Sequence, residues 1–149
     1  MTGFLNEVQM SDSKQNHAPS QAPIPFEIER GLTKSILVGA NSVHAAIGPG
    51  LPLDVYRNAM AVELRNSQIR FEQNKPFEIL YRSQTVGLYV AELVVNDAIL
   101  VEISTALEIT EEDDKTIHAH LIMTHLPLGL ILNFGRSRPH YRRVLKTLL

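Results

Sequence analysis

Apolar residues in the first half of the chain recur at helical spacing in two segments. The first segment predicts a helix that begins after an N-cap at Thr33 and ends at Gly48-Pro49-Gly50, because glycine permits a left-handed stop and proline cannot continue a helix. Its apolar positions are Ile36, Ala40, Val43 and Ile47. The second segment predicts a helix from about Leu53 to Asn66. Its apolar stripe consists of Val55, Ala59, Met60, Val62 and Leu64.

Beyond Asn66 the apolar residues alternate with polar ones, which is typical of strands that bury one face. Short polar segments divide this region into predicted strands and turns. The strands are 69–73, 77–81, 86–95 and 98–104, and the turns are Asn74-Lys75-Pro76, Arg82-Ser83-Gln84 and Asn96-Asp97. The last two strands are therefore expected to form a hairpin.

A third helix and an apolar strand follow the hairpin. Thr110 is the predicted N-cap, and the acidic run 111–114 favours the positive end of the helix dipole. One side of this helix carries Ile117, Leu121 and His125. The segment 128–134 is apolar almost throughout, as in a strand buried on both faces, and 141–148 is a basic helix or strand. This order of elements predicts an α/β fold in which helices flank a mixed β-sheet.

The composition changes this picture only at the beginning of the chain. With 149 residues, 44% of them hydrophobic and 20% charged, the chain has the size and apolar content of one folded domain. Residues 9–25 are mostly polar and include three prolines. We therefore expect a disordered tail over residues 1–25 and a single domain over residues 26–149.

Several classes of protein are disfavoured. No run approaches the roughly 18 apolar residues that cross a bilayer, and the first residues lack the basic and apolar regions of a signal peptide. The chain has no cysteine, which excludes disulfides, thiolate metal sites and a cysteine nucleophile. We therefore expect a soluble cytoplasmic protein with no membrane partner.

A set of short motifs between about Ile36 and Val144 resembles a known family. The motifs are Val43-His44, Gly48-Pro49-Gly50-Leu51, Val55-Tyr56, Glu63-Leu64, Tyr81-Arg82, Val86-Gly87, residues 91–95, Val101-Glu102-Ile103 and residues 128–134. With these motifs the chain resembles the GxxExxY protein family of the PD-(D/E)XK nuclease-like superfamily. The resemblance implies a restriction-endonuclease-like fold. It also implies a site in which acids on a hairpin hold Mg²⁺ while a lysine assists attack on a phosphate.

The chain departs from the family's pattern at most of the positions that form the catalytic site. Leu53 stands where the acid of Gly-x-x-Glu-x-x-Tyr is expected, and Glu92 replaces an aspartate. Glu102 is unchanged, but the lysine expected two residues later is Ser104. The glutamine expected on the following helix is Thr116. The resemblance therefore implies a degenerate catalytic set.

Glu92 and Glu102 are nevertheless the candidate catalytic acids and Mg²⁺ ligands. Nine residues separate them across the predicted hairpin. A two-residue loop would turn their side chains to opposite faces, whereas a three-residue loop or a bulge would place them opposite each other, as the family's spacing favours. Two facing carboxylates repel unless a cation lies between them; the alternative is that both are solvated or that one pairs with an arginine. Lys115, on the third helix, is the candidate for a relocated catalytic lysine.

Charge is unevenly distributed, although the formal net charge is −2. Five acids lie between positions 108 and 114, whereas residues 127–149 contain no acid. The basic residues of that last segment are Arg136, Arg138, Arg142, Arg143 and Lys146. The four arginines are candidate contacts to nucleic-acid phosphates. The alternative is that the basic segment pairs with the acidic run, within the protein or across a homodimer.

Three functions remain open. The first is a non-catalytic nuclease-like module that binds DNA or another partner. The second is an Mg²⁺-dependent DNA nuclease that uses Glu92, Glu102 and Lys115. The third is a structural protein that binds a protein partner and no nucleic acid. The absence of the helix acid and the lysine favours the first, because metal affinity and charge stabilisation are lost together.

Overall fold

The computed structural model describes residues 26–146. The predicted tail, residues 1–25, lies outside this range, as do residues 147–149, so the division of the chain at residue 26 stays a prediction. Within the described range three helices and five strands follow one another. Their bounds are α1 Phe26–Ile47, α2 Leu53–Asn66, β1 Phe71–Tyr81, β2 Gln84–Val95, β3 Ile99–Ser104, α3 Glu111–Thr124, β4 Leu128–Asn133 and β5 His140–Leu145.

The strands form one mixed sheet in the order β1-β2-β3-β4-β5. The pair β3–β4 is parallel and the other three pairs are antiparallel. A parallel pair needs a crossover connection, which α3 supplies. The predicted α/β fold, a mixed β-sheet flanked by helices, is confirmed.

Helices α1 and α2 cover one face of the sheet. Tyr56 of α2 is fully buried, its ring stacks on Phe134 with 4.7 Å between centroids, and its hydroxyl donates to the carbonyl of Gly48 at 2.5 Å. This contact ties the turn between the helices to the end of β4. The sheet residues buried on this face are Leu93, Val95, Ile99, Val101, Ile103, Leu128, Leu130 and Leu132.

Helix α3 covers the opposite face. It begins at the predicted N-cap: the Thr110 hydroxyl accepts from the Asp113 N–H, and the Asp113 carboxylate accepts from the Thr110 N–H at 2.8 Å. Its buried side chains are Ile117, Leu121 and Thr124. A Cβ on Gly129 would lie 2.7 Å from Ile117 Cδ1, so glycine lets the helix approach β4 closely.

Both N-terminal helices end where predicted, but two details of the prediction were wrong. Helix α1 begins at Phe26, so Thr33 is not its N-cap; the Thr33 hydroxyl instead donates to Glu29, one turn earlier, at 2.9 Å. In α2 the buried residues are Tyr56, Met60, Ala61 and Leu64, and two members of the predicted stripe, Val55 and Val62, are exposed.

Strand β1 is one strand rather than the predicted two, and it passes through Asn74-Lys75-Pro76 without turning. Because β1 is an edge strand, the missing N–H of Pro76 breaks no ladder. Asn74 has a φ of 59°, a left-handed conformation that asparagine tolerates better than most residues. The chain reverses instead at Arg82-Ser83, whose positive φ values of 51° and 65° suit the tight turn of a hairpin.

At the left-handed residue Asn74, the side chains of the β1–β2 hairpin change from one face of the sheet to the other. Ala91, Leu93 and Val95 are all odd-numbered, yet Leu93 and Val95 pack on the side of α1 and α2, and Ala91 packs on the side of α3. Phe71 and Phe77 of β1 differ in the same way. A regular strand keeps such residues on one face. The exchange lies between the pairs Gln73–Leu93 and Lys75–Ala91, where Asn74 is opposite Glu92.

The last part of the described chain is largely as predicted. Strand β4 is buried at every position, and the basic segment forms the strand β5. His125, predicted on the same side of α3 as Ile117 and Leu121, is exposed and ends that helix with a φ of 63°. No helix in residues 26–146 combines the length and the apolar character of a membrane span.

An ion pair joins the first helix to the edge strand β5. Glu29 of α1 is buried and accepts two hydrogen bonds from Arg143, from Nε at 3.1 Å and from Nη2 at 2.9 Å. These bonds, together with the Thr33 hydroxyl, outweigh the effect of burial and hold the pKa of Glu29 below its ordinary value.

Replacing Glu29 by glutamine is expected to lower the free energy of unfolding by about 1 kcal/mol at neutral pH, because the amide keeps the shape but loses the charge. The folded pKa of Glu29 is depressed, so its stabilising contribution is present above the unfolded pKa and is lost as the pH falls through the folded pKa. Urea denaturation at about pH 7 and about pH 3 measures this, with the exposed Glu108→Gln as control. An equal loss at both pH values would contradict the assignment.

Candidate functional site

The two candidate acids lie opposite each other on neighbouring strands. Strands β2 and β3 pair Leu93 with Val101 and Val95 with Ile99, which leaves a three-residue loop at 96–98. Glu92 precedes Leu93 and Glu102 follows Val101, so they occupy facing positions just beyond the last pair. This is the second of the two registers considered from the sequence.

The carboxylate of Glu92 is occupied by groups of the protein. Its Oε1 accepts a hydrogen bond from the Ile103 N–H at 2.8 Å, where the ladder between β2 and β3 has ended. The same oxygen lies 3.3 Å from Arg57 Nε of α2, an ion pair without the alignment of a hydrogen bond. The Glu92 contact, followed by Asp54 at 2.9 Å, raises the pKa of Arg57 above its usual value although burial opposes this.

The carboxylate of Glu102 is also occupied, but by different groups. Its Oε2 accepts from the Tyr89 hydroxyl at 2.6 Å and lies 2.5 Å from His120 Nδ1. The rings of Tyr89 and His120 stack with 4.1 Å between centroids, so each fixes the other. Burial and the hydrogen bond to Glu102 raise the pKa of Tyr89 well above its usual value, so the phenol stays a proton donor at any ordinary pH.

Although Glu92 and Glu102 occupy facing positions, their carboxylates do not share one site. Glu92 contacts Arg57 on the side of α2, and Glu102 contacts His120 on the side of α3. The exchange of faces beside Glu92 explains this divergence, because it turns the neighbouring Tyr89 toward α3 and Glu102.

The other positions that the resemblance singled out supply no charge. Leu53 packs against the core of the α1–α2 face. The Ser104 hydroxyl accepts from the Ala106 N–H at 3.1 Å, and Thr116 is exposed. Lys115 is exposed and lies about 160° around the helix from the buried Ile117, so the structure does not bring it to Glu102.

These residues do not fit a bound Mg²⁺. Magnesium prefers oxygen ligands in octahedral array, commonly one or two carboxylates that are free to bind it. One oxygen of each carboxylate already accepts from donors of the protein, and the positions expected to supply a third acid and the lysine hold Leu53 and Ser104. Nowhere in residues 26–146 do three or more histidine, aspartate or glutamate side chains converge as a metal site requires.

The four candidate arginines divide into two pairs. Arg142 donates to Asp114 at 2.5 Å and to the Ile109 carbonyl at 3.1 Å, and Arg143 donates to Glu29. Pairing between the basic segment and the acidic run, the alternative raised from the sequence, is thus observed for Arg142. Arg136 and Arg138 lie in the exposed loop between β4 and β5 and have no ion-pair partner among the described residues.

This loop is held in place at three points. The Gly135 N–H donates to Asn133 Oδ1 at 2.9 Å, and a Cβ on Gly135 would collide with the carbonyl oxygens of Thr105 and Ala106. The ring of His44 stacks on Phe134, and its Nε2 lies 2.7 Å from the Arg136 carbonyl, to which it donates. Because β3 and β4 are parallel, the loop lies at the same end of the sheet as Ser104.

Three residues of this site were missed from the sequence: Arg57, Tyr89 and His120. Each comes from a different element, and none belongs to a local motif. One signal was available for His120, which lies beside the buried Leu121 and three residues after Ile117, at the border of the apolar face.

Comparison with known proteins identifies a superfamily from the sequence and a solved structure with a similar fold. A family model described as PD-(D/E)XK nuclease superfamily matches residues 30–144. A solved structure entitled "Crystal structure of SSO0001" is similar in fold, with a TM-score of 0.50 and 13% sequence identity, over 99% of this chain and 78% of that one. A search of curated proteins found no match.

Replacing Tyr89 by phenylalanine is expected to lower the free energy of unfolding by about 2 kcal/mol, because the partly buried carboxylate of Glu102 loses a short hydrogen bond. The matched control is Tyr81→Phe, whose side chain is exposed and whose loss is expected to stay within about 0.5 kcal/mol. Urea unfolding of the three proteins measures the difference. Equal stability of the two variants would show that the phenol does not support Glu102.

Proposed function

Since the chain belongs to the PD-(D/E)XK nuclease superfamily, we propose that it is a non-catalytic member, an interaction module built on a nuclease fold. The observation that supports this is that both candidate metal ligands already contact groups of the protein. Arg57 and the Ile103 N–H occupy Glu92, and Tyr89 and His120 occupy Glu102.

Binding of Mg²⁺ at these carboxylates exchanges contacts that the protein already makes. Nucleases of this superfamily commonly use Mg²⁺, which activates water and offsets charge on the phosphate. A cation at Glu92 Oε1 has to displace Arg57, and a cation at Glu102 Oε2 has to displace two short hydrogen bonds. Breaking such buried contacts costs about 2 kcal/mol or more at each carboxylate. No third carboxylate at position 53 and no lysine at position 104 offsets that cost.

We propose nucleic-acid phosphate as the partner, with the loop of Arg136 and Arg138 as the contact. Both guanidinium groups are exposed, and Gly135 and His44 hold the loop backbone in place, so binding orders little further chain. Arginine matches phosphate with paired donors. Arg142 and Arg143, the other two candidates, are assigned instead to internal ion pairs. Membership of the GxxExxY family within the superfamily is part of the same proposal.

Titration of the full chain with Mg²⁺ and with Mn²⁺ in a calorimeter is expected to give no saturable heat. Glu102→Gln is the matched control, because it keeps the shape of the side chain and removes its charge. Binding in the micromolar to millimolar range that Glu102→Gln abolishes, together with cleavage of DNA, would overturn the proposal in favour of a Mg²⁺-dependent nuclease that uses Glu92 and Glu102.

A gain-of-site variant makes this experiment sharper. Leu53 lies one helical turn before Arg57, so Leu53→Glu combined with Arg57→Ala adds a carboxylate beside Glu92 and removes its counterion. We expect this variant, once its fold is verified by circular dichroism, to bind Mn²⁺ with a Kd of about 1 mM. A wild-type protein that binds as well as this variant would contradict the argument from occupied carboxylates.

A labelled DNA duplex of about 20 base pairs is expected to bind the full chain with an affinity that falls as salt rises. Arg136→Ala and Arg138→Ala are each expected to reduce the slope of log K against log salt by about 1. The control is Arg65→Ala, an exposed arginine whose guanidinium lies over Phe71 at the start of β1, away from the loop. The same titration with a duplex RNA tests which nucleic acid is preferred.

Absence of binding to both nucleic acids at low salt would overturn this assignment of the partner. The module would then be left with a protein partner, the third function considered from the sequence. Binding that all three alanine variants weaken equally would show that general charge, rather than the loop, is responsible.

A further inference from the structure

On one face of the β1–β2 hairpin, beyond the exchange at Asn74 and Glu92, no helix or strand of residues 26–146 covers the side chains. Four aliphatic side chains lie there and are between 46% and 62% exposed: Leu80, Val86, Leu88 and Val90. We call this set the hairpin stripe. Its neighbours Tyr89 and Ala91 pack toward α3, so the stripe is on the side of α1 and α2.

The chemistry of the stripe indicates a protein surface as its partner. Residues 84–91 contain no charge, and the one acid on this face, Glu78, accepts from the Thr85 hydroxyl at 3.0 Å. A neutral aliphatic strip offers nothing to a phosphate backbone. Uncharged segments of high β-propensity that stay exposed lead to association, which folded proteins generally prevent by covering them.

The edge of β1 is unsuited to pairing with another strand. Asn74 has left-handed backbone geometry, and Pro76 has no N–H to donate. A partner is therefore expected to pack on the face of the hairpin rather than to extend the sheet.

We propose that the partner is a second copy of this chain, with the two hairpin stripes packed face to face about a two-fold axis near Leu88. In an isologous contact the same surface serves both sides, and a neutral aliphatic stripe is complementary to itself. This inference concerns a surface apart from the acids and from the Arg136 loop, so it stands independently of the proposed function.

Charge complementarity at the two ends of the stripe supports this arrangement. Arg82, at the tip, is six residues from Leu88, and Val94, toward the base, is six residues in the other direction. We place the two-fold axis at Leu88 across the strands, which brings the tip of one hairpin to the base of the other. Arg57 holds Asp54 at that base, and the Asp54 side chain is 80% exposed. The cation at each tip then meets an acid of the opposite copy.

Sedimentation velocity of the full chain from about 1 to about 200 µM is expected to show a concentration-dependent monomer–dimer equilibrium. Leu88→Lys is expected to weaken the dimer by about a hundredfold or more, because two ammonium groups then face each other at the axis. Leu107→Lys, at an exposed leucine before α3, is the matched control and is expected to leave the dimer unchanged. A wild-type chain that is monomeric throughout, or a dimer that Leu88→Lys leaves intact, would overturn the proposal.

A charge exchange tests the orientation without touching the aliphatic residues. Arg82→Asp places an acid opposite Asp54 and is expected to weaken the dimer by about fivefold, since the change occurs twice. Aspartate tolerates the positive φ of this turn position. Adding Asp54→Arg is expected to restore the affinity. Failure of the double variant to recover, with both variants folded by circular dichroism, would exclude the two-fold arrangement about Leu88.

Discussion

The left-handed backbone at Asn74, opposite Glu92, decides which layer of the protein each residue of the outer hairpin contacts. A change of face at one position reverses every side chain beyond it. Tyr89 is thereby turned toward α3, where its hydroxyl reaches Glu102. The same change leaves the hairpin stripe on the side of α1 and α2, where neither helix covers it. The site and the exposed surface thus have one geometric cause.

The two carboxylates show how acidic groups within a sheet are held by donors of the protein. An ionised group inside a protein is tolerated only when donors replace its lost water. Glu92 obtains them from a backbone N–H and an arginine, and Glu102 obtains them from a phenol and an imidazole. Through these contacts Glu92 connects the sheet to α2, and Glu102 connects it to α3 on the opposite face.

The parts of the fold that were predicted from the sequence rest on strong local patterns. The glycine–proline stop of α1, the capping box at Thr110 and the wholly apolar β4 each carry their information within a few residues. The turn at Asn74-Lys75-Pro76 was wrong because turn residues are also tolerated in an edge strand, and position in the sheet is not a local property. Of the site, the opposition of the two acids was one of the two registers considered. Their partners Arg57, Tyr89 and His120 were missed, because three distant elements contribute them.

The arrangement of the sheet also has a consequence for the order in which the chain folds. β1 and β2 need only the two-residue turn at Arg82-Ser83 to pair, whereas β3 and β4 have to wait for the crossover through α3. Hairpins form in microseconds, and parallel pairings across long loops are slower. A newly made chain is therefore expected to present the uncharged segment 84–91 of its outer hairpin before the layers around the rest of the sheet have formed. The yield of native protein would then depend on how dilute the folding chains are during that interval.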